Sequence, residues 1–191
     1  MIGDPRFWRS GALSATTVMV AVLVILSIDT LRAIRAGGRN VPAYTVINRR
    51  IGYAMDAATN RYRPVLGGEE LLFGRRYSAQ EAAELIERGK LVIQTRACLD
   101  CHTMFGIGAY YAPDLTKSWL DPIWPSWQAM TQASSREEAM VRFLQNPDRY
   151  PIGIRIMPNL RIDRADAEAL VAYLKWLSSI ETNGFPARFG D

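Results

Sequence analysis

Both cysteines and the single histidine of this 191-residue chain fall within five consecutive positions, Cys98-Leu99-Asp100-Cys101-His102. That clustering limits the chain's chemistry more than any bulk property. C-x-x-C-H is the spacing of covalent haem attachment. Two thiols three positions apart can add to the two vinyl groups of one porphyrin, and the adjacent imidazole is then delivered beneath the ring as an iron ligand. A structural zinc site needs four ligands, whereas the chain offers three Cys and His in all. A thioredoxin-like pair expects a βαβ setting, and the flanking sequence is helical or irregular. A disulfide closing so small a loop would constrain little of the unfolded chain.

A lone histidine excludes bis-histidine ligation within the chain, so a sixth ligand has to be Met, Lys, a terminal amine or nothing. Met157 is the candidate, set against the plainer reading of a core-filling methionine. It lies in a loop, PIGIRIMPNL, and Pro158 biases it to an extended backbone that stiffens that loop. Met104 is too near the attachment motif to reach the opposite face of a ring, Met19 sits in an apolar run, and Met130 or Met140 suit core packing. A His/Met pair raises the potential relative to harder ligands, which suits an electron carrier.

The second strong signal is an 18-residue run without a charge at 11–28, flanked by Arg6 and Arg9 before and by Asp29, Arg32 and Arg35 after. As a helix it spans about 27 Å, close to a bilayer's hydrocarbon core. A cleaved signal peptide competes with a retained anchor, but its apolar region usually runs only about 7–15 residues and no A-x-A site follows this one. The flanking arginines nearly balance, so they do not fix an orientation. Charge is spread so that residues 81–191 are slightly acidic despite a net +4 for the chain. A nucleic-acid binder would concentrate its basic side chains on that largest segment, so no nucleic acid is expected.

The resulting organisation is a membrane anchor over 1–36, a basic connector over 37–77 and a monohaem domain over 78–191. The connector carries β-prone runs at 44–47 and 51–55 with turn signals at Asn60, Pro64 and Gly67-Gly68, so a hairpin or an extended strap is expected. Its arginines could meet lipid headgroups or a partner protein, or simply be solvated. Beyond it, Ser78 and Glu81 form a capping box opening a helix that runs into the cysteine motif. Ser135 and Glu138 form another, and Pro147 stops that helix. A third starts near Asp163 and presents Ala167, Leu170, Val171, Leu174 and Leu177 on one face. An irregular aromatic stretch with Tyr110, Tyr111, Trp119, Trp124 and Trp127 separates the first two. The order resembles a class I cytochrome c, a mainly α fold in which the first and last helices cross through a small residue against an aromatic; Gly89 and Tyr173 fit those positions.

A closer resemblance rests on CHTMFGIGAYYAPDL (101–115), IMPNL (156–160) and AYLKWLSSIETNGFP (172–186). These segments resemble the small cytochrome c subunit of bacterial nitric oxide reductase, the NorC family. The resemblance implies a single-pass protein of the bacterial cytoplasmic membrane with its haem domain on the periplasmic side. It implies one covalent haem c on Cys98 and Cys101, with His102 and Met157 as axial ligands. It further implies electrons accepted from a soluble periplasmic donor, a cytochrome c or cupredoxin, and passed to a large polytopic NorB-like subunit where nitric oxide becomes nitrous oxide. The chain itself would turn over no substrate. Gly108 and Tyr110 match family positions at the contact with the large subunit, where calcium is bound. The family's usual acidic residue before that glycine is here Ile107, and the connector is longer than usual. The alternatives are a membrane-anchored cytochrome c of another complex, such as a haem–copper oxidase, and a haem gas sensor with an open sixth position.

Overall fold

The computed structural model describes residues 4–38, 41–150, 155–182 and 184. The chain forms two compact units, Met1–Asn40 and Val41–Asp191. The first is one helix, α1, Pro5–Gly38. Its segment Pro5–Arg32 is long and apolar enough to cross a membrane, and every side chain described there is exposed. A helix that apolar and that uncovered by protein suits lipid rather than water. Two of its hydroxyls are satisfied locally, Thr17 donating to the Leu13 carbonyl at 2.8 Å and Thr30 to that of Leu26 at 2.8 Å, as a helix in lipid requires of polar groups it carries.

The second unit is mainly α. Its frame is the pair α3, Ala79–Thr95, and α6, Arg164–Ser178. The expected capping box of α3 is complete, with the Ser78 hydroxyl accepting from the Glu81 amide and the Glu81 carboxylate accepting from the Ser78 amide. Asp163 caps α6 by accepting from the Asp166 amide at 2.8 Å. The two helices meet at Gly89, where a Cβ would stand 2.1 Å from the Ala169 carbonyl oxygen and 2.6 Å from the Tyr173 Cβ. This is the glycine-against-aromatic crossing that the sequence reading expects.

Helix α5, Arg136–Gln145, starts at Ser135 as expected, but only half of that capping box forms. Glu138 points instead to Arg142 and to Arg164 at 2.8 Å, so the carboxylate ties α5 to α6. The irregular aromatic stretch contains a helix the pattern did not reveal, α4, Trp124–Thr131, with Pro125 in its first turn. Residues 44–47, β-prone by composition, are helical too, in α2, Ala43–Ile47. The reason is tertiary: a helical turn buries Val46 and Ile47 completely, which outweighs the β preference of branched side chains.

The expected hairpin is present, as β1, Arg49–Asp56, paired antiparallel with β2, Arg61–Glu69. Asn60 turns it with φ 52°, but Pro64, Gly67 and Gly68 lie inside β2 rather than in turns. Arg49 pairs with Glu69 and Ile51 with Leu66, so Gly67 and Gly68 together oppose Arg50 in a bulge, a usual place for strand glycines.

Residues 41–77 are fastened to the helical frame by buried polar contacts. Asn48 donates to the Tyr44 and Tyr77 carbonyls and accepts from the Tyr77 amide, each at 2.9 Å. Trp176 donates to the Val41 carbonyl at 2.9 Å. Lys175, fully buried on α6, donates to the Ile47 carbonyl and pairs with Glu70 at 2.7 Å. A charged group in such a place is held because its bonds are met; removing one partner would leave a buried charge uncompensated.

The crossing makes a direct prediction. Gly89→Ala places a methyl against backbone that cannot yield as a side chain would, so the unfolding free energy falls by about 2–3 kcal/mol despite alanine's better helix propensity. Chemical denaturation of the purified protein, read by helical circular dichroism, measures it; an unchanged or raised midpoint would contradict the close approach.

Candidate functional site

The cysteine motif folds as a tight turn because α3 ends sharply in front of it. Ala97 adopts a left-handed conformation with φ 50°, and Cys98–Asp100 forms a 3-10 turn. The Cys101 and His102 amides both donate to the Cys98 carbonyl, the second at 2.9 Å. Cys98, Cys101 and His102 consequently line one cavity. Burial holds the Cys98 thiol above its ordinary pKa, keeping it protonated and uncharged at an apolar wall.

That cavity has an inner part of about 140 Å³ and an outer part of about 850 Å³, continuous through shared walls at Cys101, His102, Leu115, Trp124, Phe143 and Met157. The combined size is that of a site for a cofactor-sized ligand. Leu160, Leu170 and Leu174 close the inner end from α6 and the segment before it. Met157 lines both parts, so the structure brings Cys98, Cys101, His102 and Met157 to one cavity from segments far apart in sequence.

The other methionines sort as expected with one exception. Met104 sits with its sulfur 3.9 Å from the Tyr173 hydroxyl, on no wall of this cavity, and Met140 is 2% exposed in the core, touching only the inner end. Met130, expected in the core, is instead 40% exposed, because it lies on the outward side of α4.

The histidine's orientation is set by a residue the sequence did not single out. His102 Nδ1 is 2.7 Å from the Pro113 carbonyl oxygen, which can only accept, so Nδ1 carries the proton and Nε2 keeps its lone pair for a metal. Pro113 is held by the loop around the motif. The Ala112 amide donates to the Cys101 carbonyl at 2.8 Å, that of Leu115 to the Thr103 carbonyl at 2.8 Å, and that of Ala109 to the Leu99 carbonyl at 3.0 Å. The Phe105 amide reaches the buried Thr116 hydroxyl at 2.8 Å. Beyond this loop, buried Lys117 donates to the Ser178 and Ile180 carbonyls at the end of α6. Burial pushes its amine down to about 8, partly opposed by the Glu181 charge.

Gly108 and Tyr110 stand apart from the cavity walls. Gly108 has φ 116°, and a Cβ there would lie 2.2 Å from the His102 carbonyl oxygen, so glycine is required by the fold of this loop whatever else it does. Tyr110 is 79% exposed and Ile107 is 71% exposed. Of the tyrosine pair it is Tyr111 that lines the cavity. No cluster of three or more His, Cys, Asp or Glu side chains suited to a metal ion occurs among the described residues.

An apolar cavity with two thiols and an imidazole on one wall and a thioether available on the same cavity fits a covalently bound haem. Comparison with known proteins agrees: residues 86–178 match the cytochrome c family model, so this part of the chain is a cytochrome c domain, which implies a covalent haem c. The chain is 30% identical over 121 residues to the NorC subunit of nitric oxide reductase from Stutzerimonas stutzeri, an alignment covering 61% of this chain and 75% of that protein. It is 29% identical over 101 residues to the NorC of Paracoccus denitrificans, covering 53% of this chain and 64% of that protein. The chain belongs to the NorC family of nitric oxide reductase subunits. It spans three quarters of the first relative and just under two thirds of the second.

The steric role of Gly108 is testable apart from any metal. Gly108→Ala strains a positive φ and drives a methyl into the His102 carbonyl, so stability falls by about 2–3 kcal/mol and less haem is incorporated at equal expression. Haem content per polypeptide by absorbance checks it, and full incorporation with an unchanged melting temperature would refute the close contact.

Proposed function

We propose that this chain is the electron-transfer subunit of a membrane nitric oxide reductase. It accepts electrons from a soluble periplasmic donor, a cytochrome c or cupredoxin, and delivers them to a NorB-like catalytic subunit that reduces nitric oxide to nitrous oxide. The observation that carries this reading is the convergence of Cys98, Cys101, His102 and Met157 on one apolar cavity, together with the NorC relatives. In this reading Cys98 and Cys101 would hold one haem covalently, and the iron would be ligated by His102 through Nε2 and by Met157 through its thioether. The bound haem supplies a one-electron ferric/ferrous couple. The chain's own residues hold it rigid and dry: Pro113 fixes the imidazole, Pro158 stiffens the Met157 backbone, and Leu160, Leu170 and Leu174 exclude water. Rigid ligands favour electron transfer because little has to move when the charge changes.

The same reading makes α1 a single membrane anchor in contact with lipid, residues 78–191 a haem domain on the periplasmic side, and 41–77 a collar on that domain. It puts Tyr110 and Gly108 at the contact with the catalytic subunit, which the exposure of Tyr110 and Ile107 supports. Calcium there would draw its carboxylates from the partner, since Ile107 offers none.

Met157→Ala in the intact complex tests the electron-transfer role. Covalent haem is retained, the reduction potential drops by roughly 0.1 V or more within the ~0.8 V that axial ligands span, and the ferrous iron gains carbon monoxide binding. Donor-driven nitric oxide consumption falls at least about tenfold. An unchanged potential would assign the sixth position to another side chain, and a complex that consumes no nitric oxide even with the native chain would place this protein in another complex.

A further inference from the structure

The hairpin of β1 and β2 carries an apolar face beyond the core on which it is built. Cross-strand pairing sets Ile51 against Leu66, Tyr53 against Pro64 and Met55 against Tyr62 on that face. Ile51 is buried, Tyr53, Pro64 and Leu66 are half-buried, and Met55 and Tyr62, nearest the turn, are 49% and 36% exposed. The turn residues 57–60 are uncharged and exposed. The other face of the ribbon carries Arg61 and Arg63. Asp56 has its carboxylate met within the hairpin, by the Ala58 amide and the Thr59 hydroxyl at 3.0 Å each and by Arg63 at 3.1 Å. Glu181, 3.9 Å from Arg63, is the other carboxylate at hand. Residues 41–77 as a whole hold six arginines against three carboxylates, whereas 78–191 is slightly acidic.

We infer that the turn end of this hairpin docks on the anionic headgroup surface of the bilayer that holds α1, with Met55 and Tyr62 among the headgroups and Arg61 and Arg63 on phosphate oxygens. This rests on the reading of α1 as a retained membrane anchor. Single exposed apolar side chains are ordinary on any surface. Here, however, they gather at one end of a ribbon beside an excess of arginine, and tyrosine with arginine at the edge of an apolar surface is the pattern of a membrane–water interface. The guanidinium fork matches phosphate oxygens, and the bond is charge-assisted. The covalent chain keeps the hairpin within reach. Helix α1 ends at Gly38 and the second unit begins at Val41, three peptide steps that span at most about 11 Å. A strand of eight residues such as β1 adds about 27 Å. The haem domain is then tied to the membrane at two points, and the second limits the orientations in which it meets a membrane partner.

The full-length haem-loaded protein in lipid nanodiscs tests this, with a nitroxide attached through Met55→Cys and, for comparison, through Leu91→Cys at an exposed position of α3. In discs containing phosphatidylglycerol, the Met55→Cys label should collide with a neutral, water-soluble nickel chelate at least about fivefold less often than in discs of phosphatidylcholine alone, the effect of one arginine at an anionic surface. The Leu91→Cys label should collide equally in both. Equal collision of the Met55→Cys label in the two lipids would overturn the inference. Protection that requires the catalytic subunit and not the charged lipid would also overturn it, in favour of a protein partner. If the labelled variant takes up no haem, amide hydrogen exchange across residues 49–69 of the native protein decides: slower exchange in the phosphatidylglycerol discs supports the docking, and the same rate in both refutes it. A native chain that does not stay with the discs would instead bring down the anchor reading itself.

Discussion

Everything in the haem domain is referred to the place where α3 and α6 touch at Gly89. Backbone rather than side chain fills the contact, with the Ala169 carbonyl oxygen 2.1 Å from where a Cβ would be, so the distance and angle between the helices cannot drift. α3 delivers the cysteine motif at its C-terminal end, and α6 supplies Leu170 and Leu174 to the far wall of the cavity. The gap between attachment motif and wall is therefore a consequence of one glycine. Interiors packed at crystal density transmit such a constraint rather than absorbing it.

The remaining walls are held by polar contacts that are satisfied inside the protein. Lys175 binds the Ile47 carbonyl and Glu70 while its ammonium lies 5.2 Å from the Trp119 ring centre. Arg136 approaches the same ring at 5.1 Å and donates to the Trp119 carbonyl. Trp119 is thus enclosed by two cations, both of them tied down, and it anchors the stretch between the haem loop and α4. Lys117 does the same at the end of α6, where a cation meets the negative end of the helix dipole. These bonds fix the segments that bring Pro113 to His102 and Trp124 to the cavity.

The attachment motif, the methionine that reaches the cavity and the crossing pair were legible in the sequence because each depends on local chemistry. Cys98, Cys101 and His102 are rare residues at a fixed spacing, Met157 precedes a proline, and Gly89 interrupts an otherwise regular helix. Pro113 as the acceptor for His102 was not legible, since a backbone carbonyl leaves no compositional trace and its place depends on loop bonds made eleven residues away from the imidazole. Helix α4 was hidden by its aromatic content, whose period is set by the cavity on one side and solvent on the other. The collar was misread at 44–47 because the burial of Val46 and Ile47 is a property of the assembled domain.

The central claim is that haem is joined to this chain through both cysteines. Proteolysis of the native protein followed by mass spectrometry measures this directly. The expected result is one haem per chain, carried on the peptide that contains Cys98 and Cys101, with both thiols blocked to alkylation and none of the haem removed by acid and organic solvent. Recovery of that peptide free of haem, with both cysteines alkylated, would contradict the claim.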